Sequence, residues 1–569
     1  MSDTTTRSRQ PSVRRLPLAA PLRLARPSDM WFKPALSVVV ATAVPDLVLL
    51  AVDRLDLVMY TMAGSLCALY GHNLPYARRA RAVAGVVVAM IIGLAASLVA
   101  ASLTGSTAVL IAVGALLAAG QKTLCDATRI GPPGPVIFTF VTSAALFAPQ
   151  RLGQVPGHLA LTLGAGVIAW LVTAGPALLR REGPERRATA RALDAAAAYL
   201  ADPGHRTRHA AAAAVHAAWQ TLLAAGRPTP VRRALEHLVV HAEAALAGGT
   251  LDASPAAPAP DPDRLRAWAR QTRARGPVPT PPPAPGTSEE LFGIEAERAA
   301  RRGDSRRDAR RALLRRLAPG SPLLPIGARA LIGCALAGYV SQAAGVGRPY
   351  WAIVTAASLY QANVTLSWNR ALQRTLGNLL GVLVFAAVLP VSRTGPLALI
   401  GFCLFFGFAA EALITRNYWL GSVAVTPMAL LVLEFGGTHP TAGELIGDRV
   451  LDTVIGAGAG LLAAMLVTNR RAAGRLEKAL AATDLARARA VHALAAPQTA
   501  PAALDAARRE LTGSLVELRE ADDTAAGEWW QRALPQEQVL AAEQAGHRTL
   551  AATATRRGPI ARAPENGAV

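Results

Sequence analysis

Twelve apolar runs constrain this sequence more than any other feature. Most approach the length that a helix needs to cross a bilayer, although two in the first half, near 16 residues, are short for a span. The runs cover residues 34–52, 56–71, 82–101, 106–120, 134–149 and 158–179, then 323–345, 350–364, 375–391, 395–412, 417–434 and 446–468. Because hydrocarbon offers the backbone no hydrogen-bond partner, such runs cross a membrane as helices. The sequence therefore predicts an all-α membrane protein of two tandem six-helix bundles, a pseudo-dimer with about twelve spans.

The rest of the sequence is predicted to form soluble segments around the two bundles. Proline clusters in one of these segments, and such a cluster indicates a linker without regular helix or sheet. The predicted segments are a disordered cytoplasmic tail (1–29), the first bundle (30–180), a cytoplasmic helical region (181–322) with a Pro-rich linker (about 254–287) and a charged helix (288–317), the second bundle (323–469), and a cytoplasmic helical region with a disordered end (470–569).

The net charge of +21 first suggests a nucleic-acid partner. The basic residues are instead spread over the tail, the short loops and the soluble segments, and they form no compact basic face. We therefore expect a lipid bilayer, and no nucleic acid, as the partner of this chain. The four cysteines lie in or beside apolar runs, without the spacing of a disulfide or a metal site.

Positively charged loops indicate the orientation. With the N-terminus in the cytoplasm, the loops at 72–81, 121–133 and 365–374 and both soluble regions fall on the cytoplasmic side. These loops carry more Lys and Arg than the opposite ones, and positive loops are retained in the cytoplasm. The sequence thus predicts a multi-pass protein of the cell membrane with both termini in the cytoplasm.

The stretch from Arg348 to Leu389 is typical of a transmembrane hairpin. An aromatic pair, Tyr350 and Trp351, opens its first apolar run. The second run begins with Gly377 and Gly381, a spacing that lets another helix approach closely within lipid. Between the runs, a predicted cationic turn carries Trp368, Asn369, Arg370 and Arg374.

Further motifs follow this hairpin in a fixed order. They are Asn417-Tyr418-Trp419, then Thr426-Pro427, then Arg449-Val450-Leu451-Asp452-Thr453 and Gly456. Together with the hairpin, they resemble the fusaric-acid-resistance family of integral membrane transporters, also called aromatic acid exporters. The resemblance covers roughly 120 residues, and it implies export of aromatic organic acids from the cytoplasm.

The two halves also resemble each other, as expected for an internal repeat. The matched pairs are Arg78 to Arg81 before Gly85 with Arg370 to Arg374 before Gly377, Pro135 to Thr142 with Trp419 to Thr426, and Thr162 with Thr453. The first half lacks equivalents of the Tyr350-Trp351 pair and of the Arg449/Asp452 pair. We therefore expect the second half to carry most of a functional site.

Ionisable residues within the apolar runs are the best candidates for function, because charge in hydrocarbon is costly. Arg329 could attract an organic anion or extend to the cytoplasmic interface. Arg449 and Asp452, spaced i,i+3, could pair as a structural clamp or form a gate or proton-linked site. Asp46, after the helix-breaking Pro45, could be an ion site or could lie at the outer interface.

Polar and aromatic residues near the ends of the apolar runs each have two possible interpretations. Arg370 and Arg374 either set the topology or form a cationic mouth that gathers anions. Tyr350, Trp351, Tyr418 and Trp419 are either interfacial belt residues or, as the resemblance implies, the lining of a path for aromatic substrates. The candidate substrate path comprises Arg329, Tyr350, Trp351, Arg370, Arg374, Asn417, Tyr418, Thr426, Arg449 and Asp452.

No enzyme motif, nucleotide-binding motif, metal site or cofactor site is indicated. The favoured hypothesis is a secondary, proton-driven exporter of aromatic or other hydrophobic organic acids, with a small organic anion as substrate and Asp452 as the protonatable partner. A passive anion channel is one alternative, since the family also resembles the plant aluminium-activated malate channels. A membrane scaffold that transports nothing is the other, and a homodimer or an accessory partner stays open.

Overall fold

The computed structural model describes residues 18–24, 31–179, 182–225, 229–248, 261–274, 276–280, 311, 314, 317, 318, 321, 323–361, 363–436, 441–467, 471–496, 499, 501–526 and 535–555. Within these ranges every regular element is a helix, which confirms the all-α prediction. Most of the predicted charged helix at 288–317 and of the tail at 1–29 lies outside the described residues.

Each half of the membrane part contains four long helices and two short ones. The first half comprises α1 (Phe32–Ala51), α2 (Val58–Ser65, continued by a 3-10 turn at Leu66–Leu69), α3 (Tyr76–Leu103), α4 (Thr107–Thr128), α5 (Val136–Leu146) and α6 (Val155–Ala174). After the soluble helices, of which four lie within the described residues, the second half comprises α11 (Leu324–Ala343), α12 (Tyr350–Leu359), α13 (Val364–Ser392), α14 (Pro396–Ile414), α15 (Tyr418–Glu434) and α16 (Ala442–Leu466). Eight of these described helices are long and apolar enough to cross a membrane, and the second and fifth of each half are shorter.

Large apolar side chains cover the outside of the long helices. Val48 on α1, Ile92 on α3, Leu383 on α13, Leu397 on α14 and Leu466 on α16 are each at least half exposed. A soluble protein rarely leaves so many large apolar side chains in contact with water. Lipid is the solvent that suits this surface, and the prediction of a multi-pass membrane protein is confirmed.

Corresponding helices make corresponding contacts in the two halves. The second helix packs on the sixth in each half, and the third helix packs on the fifth and the sixth. Between the halves, α4 packs on α11 and α1 packs on α14. These two contacts exchange the first and fourth helices of the halves, so they are related by an approximate two-fold axis, as in a dimer of identical subunits.

The soluble helices form two groups. The helices α7 (Gly183–Ala201), α8 (His205–Ala224), α9 (Pro230–Gly248) and α10 (Pro262–Arg273) share an Ala/Leu-rich core. The C-terminal group comprises α17 (Arg471–Ala495), α18 (Pro501–Ala526) and α19 (Gln536–Thr555). The predicted linker at 254–287 was wrong in part, because α10 lies within it. The one proline of α10 stands at its first position, where no backbone donor is lost, and Asp261 caps the helix by accepting from the Asp263 amide.

The predicted cationic turn at 365–374 was also wrong, because these residues form the first turns of α13. The side chain of Asn363 caps this helix by accepting from the Leu366 amide, and neither Gly nor Pro interrupts residues 364–376. Likewise, residues 76–81 belong to α3 and residues 121–128 belong to α4. The arginines of these segments therefore lie on helices that continue into the apolar region.

One end of the membrane part contacts the C-terminal soluble helices. The side-chain amide nitrogen (Nδ2) of Asn363, just before α13, donates to the backbone carbonyls of Asp523 and Thr524 at distances of 3.4 and 3.3 Å. We call this side of the membrane part the domain end. The opposite side, where α12 and α16 begin, is the distal end.

Candidate functional site

Ten polar and aromatic side chains, eight of them buried, form a polar column through the second half. The column runs between α12, α13, α15 and α16 and touches α11 near the distal end. Charged groups within a membrane bundle cost several kcal/mol, so such a column is a candidate functional site. Its members are Arg370, Arg374, Tyr418, Asn378, Thr426, Thr453, Ser341, Trp351, Arg449 and Asp452.

At the domain end of the column, two arginines of α13 hold one tyrosine of α15. The Arg370 guanidinium lies 3.7 Å above the centre of the Tyr418 ring. Arg374, one turn further along the helix, donates from Nη1 to the Tyr418 hydroxyl at 2.9 Å. Because Arg374 is 5% exposed, a cation lies within the bundle and not at a solvated loop.

At mid-column, a neutral amide joins three helices. Asn378 on α13 donates to the Thr453 hydroxyl at 3.0 Å, and its carbonyl oxygen accepts from the Thr426 hydroxyl at 2.9 Å. Thr426 is among the candidates predicted from the sequence, whereas Asn378 is not. A polar residue four positions after Arg374 in an otherwise apolar run lies on the same helix face, and this spacing could have identified it.

At the distal end of the column, Arg449 and Asp452 take separate partners. The Arg449 guanidinium lies 4.0 Å from the centre of the Trp351 ring, a cation–π contact. Among the described residues, Arg449 Nε and Nη1 have no hydrogen-bond partner although both are buried. Asp452 accepts a hydrogen bond from Ser341, and its other carboxylate oxygen has no partner within the same residues.

The expected ion pair between Arg449 and Asp452 is therefore absent from the described residues. Their i,i+3 spacing places both on one face of α16, but that face meets two different helices. Arg449 turns to Trp351 on α12 and Asp452 turns to Ser341 on α11. Two incompletely bonded charged groups remain next to each other, a costly arrangement in the absence of a ligand.

The aromatic pair that opens α12 is not an interfacial belt. Tyr350 is 4% exposed and Trp351 is 2% exposed. Trp351 lies 5.7 Å from the ring of Phe140, and Tyr350 lies 5.8 Å from that of Phe147, both in the first half. These contacts place the distal end of the column at the boundary between the two halves.

Arg329 lies apart from the column. Its Nε donates to the backbone carbonyl of Val467, just beyond the last residue of α16. A cation at the C-terminus of a helix stabilises the negative end of the helix dipole and satisfies a free carbonyl. This contact is the arrangement expected for an arginine that extends toward the domain end.

An N-terminal segment lies across the domain end of the column. We call residues 18–24 the strap. The Pro21 carbonyl accepts from Gln373 at 2.7 Å and from Asn417 at 2.8 Å, and Asn417 also donates to the Arg23 carbonyl at 2.8 Å. The indole of Trp419 donates to the Leu22 carbonyl at 3.2 Å. The prediction of a disordered tail over residues 1–29 was therefore wrong for the strap, whose carbonyls these side chains fix.

The first half has no comparable column among its described residues. Arg79, at the position matched with the α13 arginines, donates to the backbone carbonyls of Gly71, His72 and Leu74 at 2.9, 2.7 and 3.2 Å. These bonds satisfy a non-helical connection between α2 and α3. The guanidinium therefore serves the fold here, and the functional asymmetry predicted from the sequence has a structural counterpart.

The fold and the polar column define a polytopic helical membrane protein with buried cations in its second half. Residues 336–463 match the family model described as fusaric acid resistance protein-like. This range contains every member of the column, from Ser341 to Thr453. Over these residues the chain is similar to that family, and the resemblance predicted from its motifs is confirmed. The family is one of membrane transport proteins, consistent with a role in transport or efflux.

A curated relative supports the membrane assignment. The chain is 31% identical over 187 residues to a Bacillus subtilis (strain 168) protein named uncharacterized membrane protein YvaC. The alignment covers 32% of this chain and 28% of that relative, so less than a third of either protein is matched. No solved structure matches the chain.

Proposed function

We propose that the chain exports aromatic or other hydrophobic organic acids from the cytoplasm across the cell membrane. The observation that carries the proposal is Arg449, whose buried guanidinium has two nitrogens, Nε and Nη1, without a hydrogen-bond partner among the described residues, beside an indole ring. An aromatic carboxylate supplies what this arrangement lacks, because its oxygens accept hydrogen bonds from guanidinium and its ring packs on other rings. The family match supports transport, and the substrate class is our inference from the column.

In this proposal the members of the column act in sequence. Arg370 and Arg374 attract the anion at the domain end, and Asn378 with Thr426 offers neutral hydrogen bonds halfway. Arg449 binds the carboxylate near the distal end. Asp452, one turn from Arg449 on the same helix face, is the protonatable group that couples export to the proton gradient.

A twelve-span arrangement accounts for the short helices. The ten residues of α12 rise about 15 Å, about half of the ~30 Å of a bilayer core, and the next residue, Tyr360, has an extended backbone. Crossing by a half helix and an extended segment is tolerated where protein surrounds the backbone, and all of α12 is buried. We propose that both termini and the domain end face the cytoplasm.

Cysteine labelling separates twelve spans from eight. Gly105, between α3 and α4, and Gly395, between α13 and α14, each have open space where a side chain would extend. With twelve spans, Gly105→Cys and Gly395→Cys both react with a membrane-impermeant maleimide added outside the cell. If only the eight long helices cross, both positions face the cytoplasm. The absence of labelling from outside would therefore contradict our topology.

The transport proposal is tested with radiolabelled benzoate in vesicles that contain the purified protein. We expect an imposed proton gradient to drive benzoate accumulation and a protonophore to abolish it. Arg449→Ala should lower the initial rate at least tenfold, whereas Arg54→Ala, at an exposed position, should leave it unchanged. Downhill flux that persists in the presence of the protonophore would indicate a channel. The absence of any flux that depends on the protein would indicate a scaffold.

A further inference from the structure

A cleft lies between the two halves, separate from the polar column. It is narrow, and its atom-free space of about 390 Å³ between α1, α2, α14 and α15 is partly open to the surroundings. Its walls are mainly apolar, and they include Val38, Val58, Met62, Leu404, Val432 and Phe435.

The carboxylate of Asp46 lines this cleft. Asp46 is 1% exposed, and its Oδ1 has no hydrogen-bond partner among the described residues. Thr42 lies one helical turn before Asp46 and lines the same cleft, so a hydroxyl stands beside the carboxylate. Asp46 is thus shielded by protein, unlike Asp53 and Asp56 near the end of α1, which are exposed.

Asp46 is not needed to repair the helix break next to it. Pro45 has no backbone N–H, so the carbonyl of Ala41 loses its helical partner. The hydroxyl of Ser65 on α2 donates to that carbonyl at 2.8 Å. The broken ladder is therefore satisfied from the neighbouring helix, and the carboxylate of Asp46 is left for another role.

The matching position in the other half is closed. Helices α1 and α11 both have 20 residues, so Asp46 of α1 corresponds to Gly338 of α11. A Cβ atom at Gly338 would lie 2.6 Å from Ile111 and 3.2 Å from Ile353. The two isoleucines fill the space that is open beside Asp46, so the cleft is a feature of one side of the pseudo-dimer only.

We infer that the Asp46 cleft binds a small lipophilic ammonium ion. A buried carboxylate without a partner is costly, and a protonated amine offsets that cost with charge and N–H donors while its hydrocarbon part fills the apolar walls. An anion is excluded by the sign of the charge. A bare metal cation fits poorly, because hard cations take six or more oxygen ligands and the cleft offers one carboxylate and one hydroxyl.

The inference is tested by thermal unfolding of the full-length protein in lipid nanodiscs, with n-hexylammonium as probe and 1-hexanol as its neutral counterpart. Hexylammonium should raise the midpoint of the wild type by several degrees, and hexanol should not. Asp46→Asn should abolish the shift. Asp56→Asn, which changes an exposed carboxylate bonded to Arg54, should keep it.

A second variant leaves the carboxylate in place. Gly407 lines the cleft, and a Cβ there meets only the Met428 sulfur at 3.6 Å. Gly407→Leu should therefore fold, fill the cleft and abolish the hexylammonium shift. An equal shift with hexanol, a shift retained in Asp46→Asn or Gly407→Leu, or no shift in the wild type would overturn the inference.

Discussion

The guanidinium of Arg449 lies 4.0 Å from the centre of the Trp351 ring and not against Asp452, one turn away on its own helix. A desolvated cation–π contact contributes about 2 kcal/mol. It leaves the guanidinium edges free, whereas a bidentate carboxylate pair would occupy them. The contact thus positions a cation within the bundle without consuming its hydrogen-bond donors.

Arg449→Lys tests whether this geometry matters as well as the charge. Lysine keeps the positive charge but has neither the planar group that stacks on indole nor a bidentate fork. We expect the initial rate of benzoate export to fall about tenfold, in line with a loss of about 1.4 kcal/mol. Arg348→Lys, which changes an arginine paired with Asp448 at the distal surface, is the control. Equal rates in both variants would contradict a role for the stacked geometry.

Close packing of α13 on α15 depends on glycine. A Cβ atom at Gly381 would lie 2.6 Å from the Thr426 Cβ, whereas Gly458 on α16 has open space. Gly381→Ala should destabilise the protein by about 1–3 kcal/mol through overpacking, and Gly458→Ala should not. Thermal unfolding in detergent measures both variants. Similar midpoints would mean that the two helices separate easily.

The sequence predicted the all-helical fold, the apolar membrane helices and the packing role of Gly381, because these features follow from local composition. It also identified most members of the polar column, since ionisable residues stand out in apolar runs. It failed where a choice between neighbours decides the outcome. The partners of Arg449 and Asp452 depend on which helix each side chain faces, and no spacing along one helix reveals that.

Helix ends were a second source of error. Charge usually marks the membrane boundary, and for that reason the sequence predicts a turn at Arg370 and Arg374. In the structure, Asn363 caps α13, so the helix begins before these arginines, and Arg374 is buried within the bundle. The bonds of the strap join residues nearly 400 positions apart in sequence, between Asn417 and Pro21, so no local pattern predicts them.

Asn417→Asp should release the strap without disturbing α15. The side-chain oxygen of Asn417 caps this helix, and its amide nitrogen donates to the carbonyls of Pro21 and Arg23. Aspartate keeps the cap but opposes those carbonyls with an oxygen. In a Leu22→Cys background, we expect maleimide labelling of the cysteine to accelerate severalfold. Asn417→Ala, which also loses the cap, should label as fast but lower the unfolding midpoint. Unchanged labelling in both variants would show that other contacts hold the strap.

The two groups of soluble helices are joined by a buried ion pair. Arg508 on α18 donates to the Glu243 carboxylate on α9, and Trp219 donates to the other oxygen of that carboxylate at 2.9 Å. Arg508→Met should cost about 3–5 kcal/mol, because it leaves a buried charge without its partner. Adding Glu243→Gln should recover most of that loss, since glutamine still accepts from Trp219. Chemical unfolding of the four proteins measures the coupling, and additive losses would contradict it.

The contact between α9 and α10 should weaken in acid. His241 lies with its ring 5.2 Å from that of Trp268, edge to face. Burial lowers the pKa of His241 below its usual 6.5, and the positive charges of Arg264 and His237 lower it further. Because the folded pKa is below the unfolded one, the neutral ring stabilises the fold above about pH 6.5. That stabilisation is lost as the pH falls through the folded pKa.

Hydrogen exchange of the α10 amides between pH 7.5 and 5 measures this loss, after correction for the intrinsic pH dependence of exchange. We expect protection to decrease below about pH 6.5 in the wild type. His241→Phe keeps an aromatic contact with Trp268 but cannot take up a proton, so its protection should stay constant over the same range. A decrease of equal size in His241→Phe would assign the effect to other groups and contradict the role of this histidine.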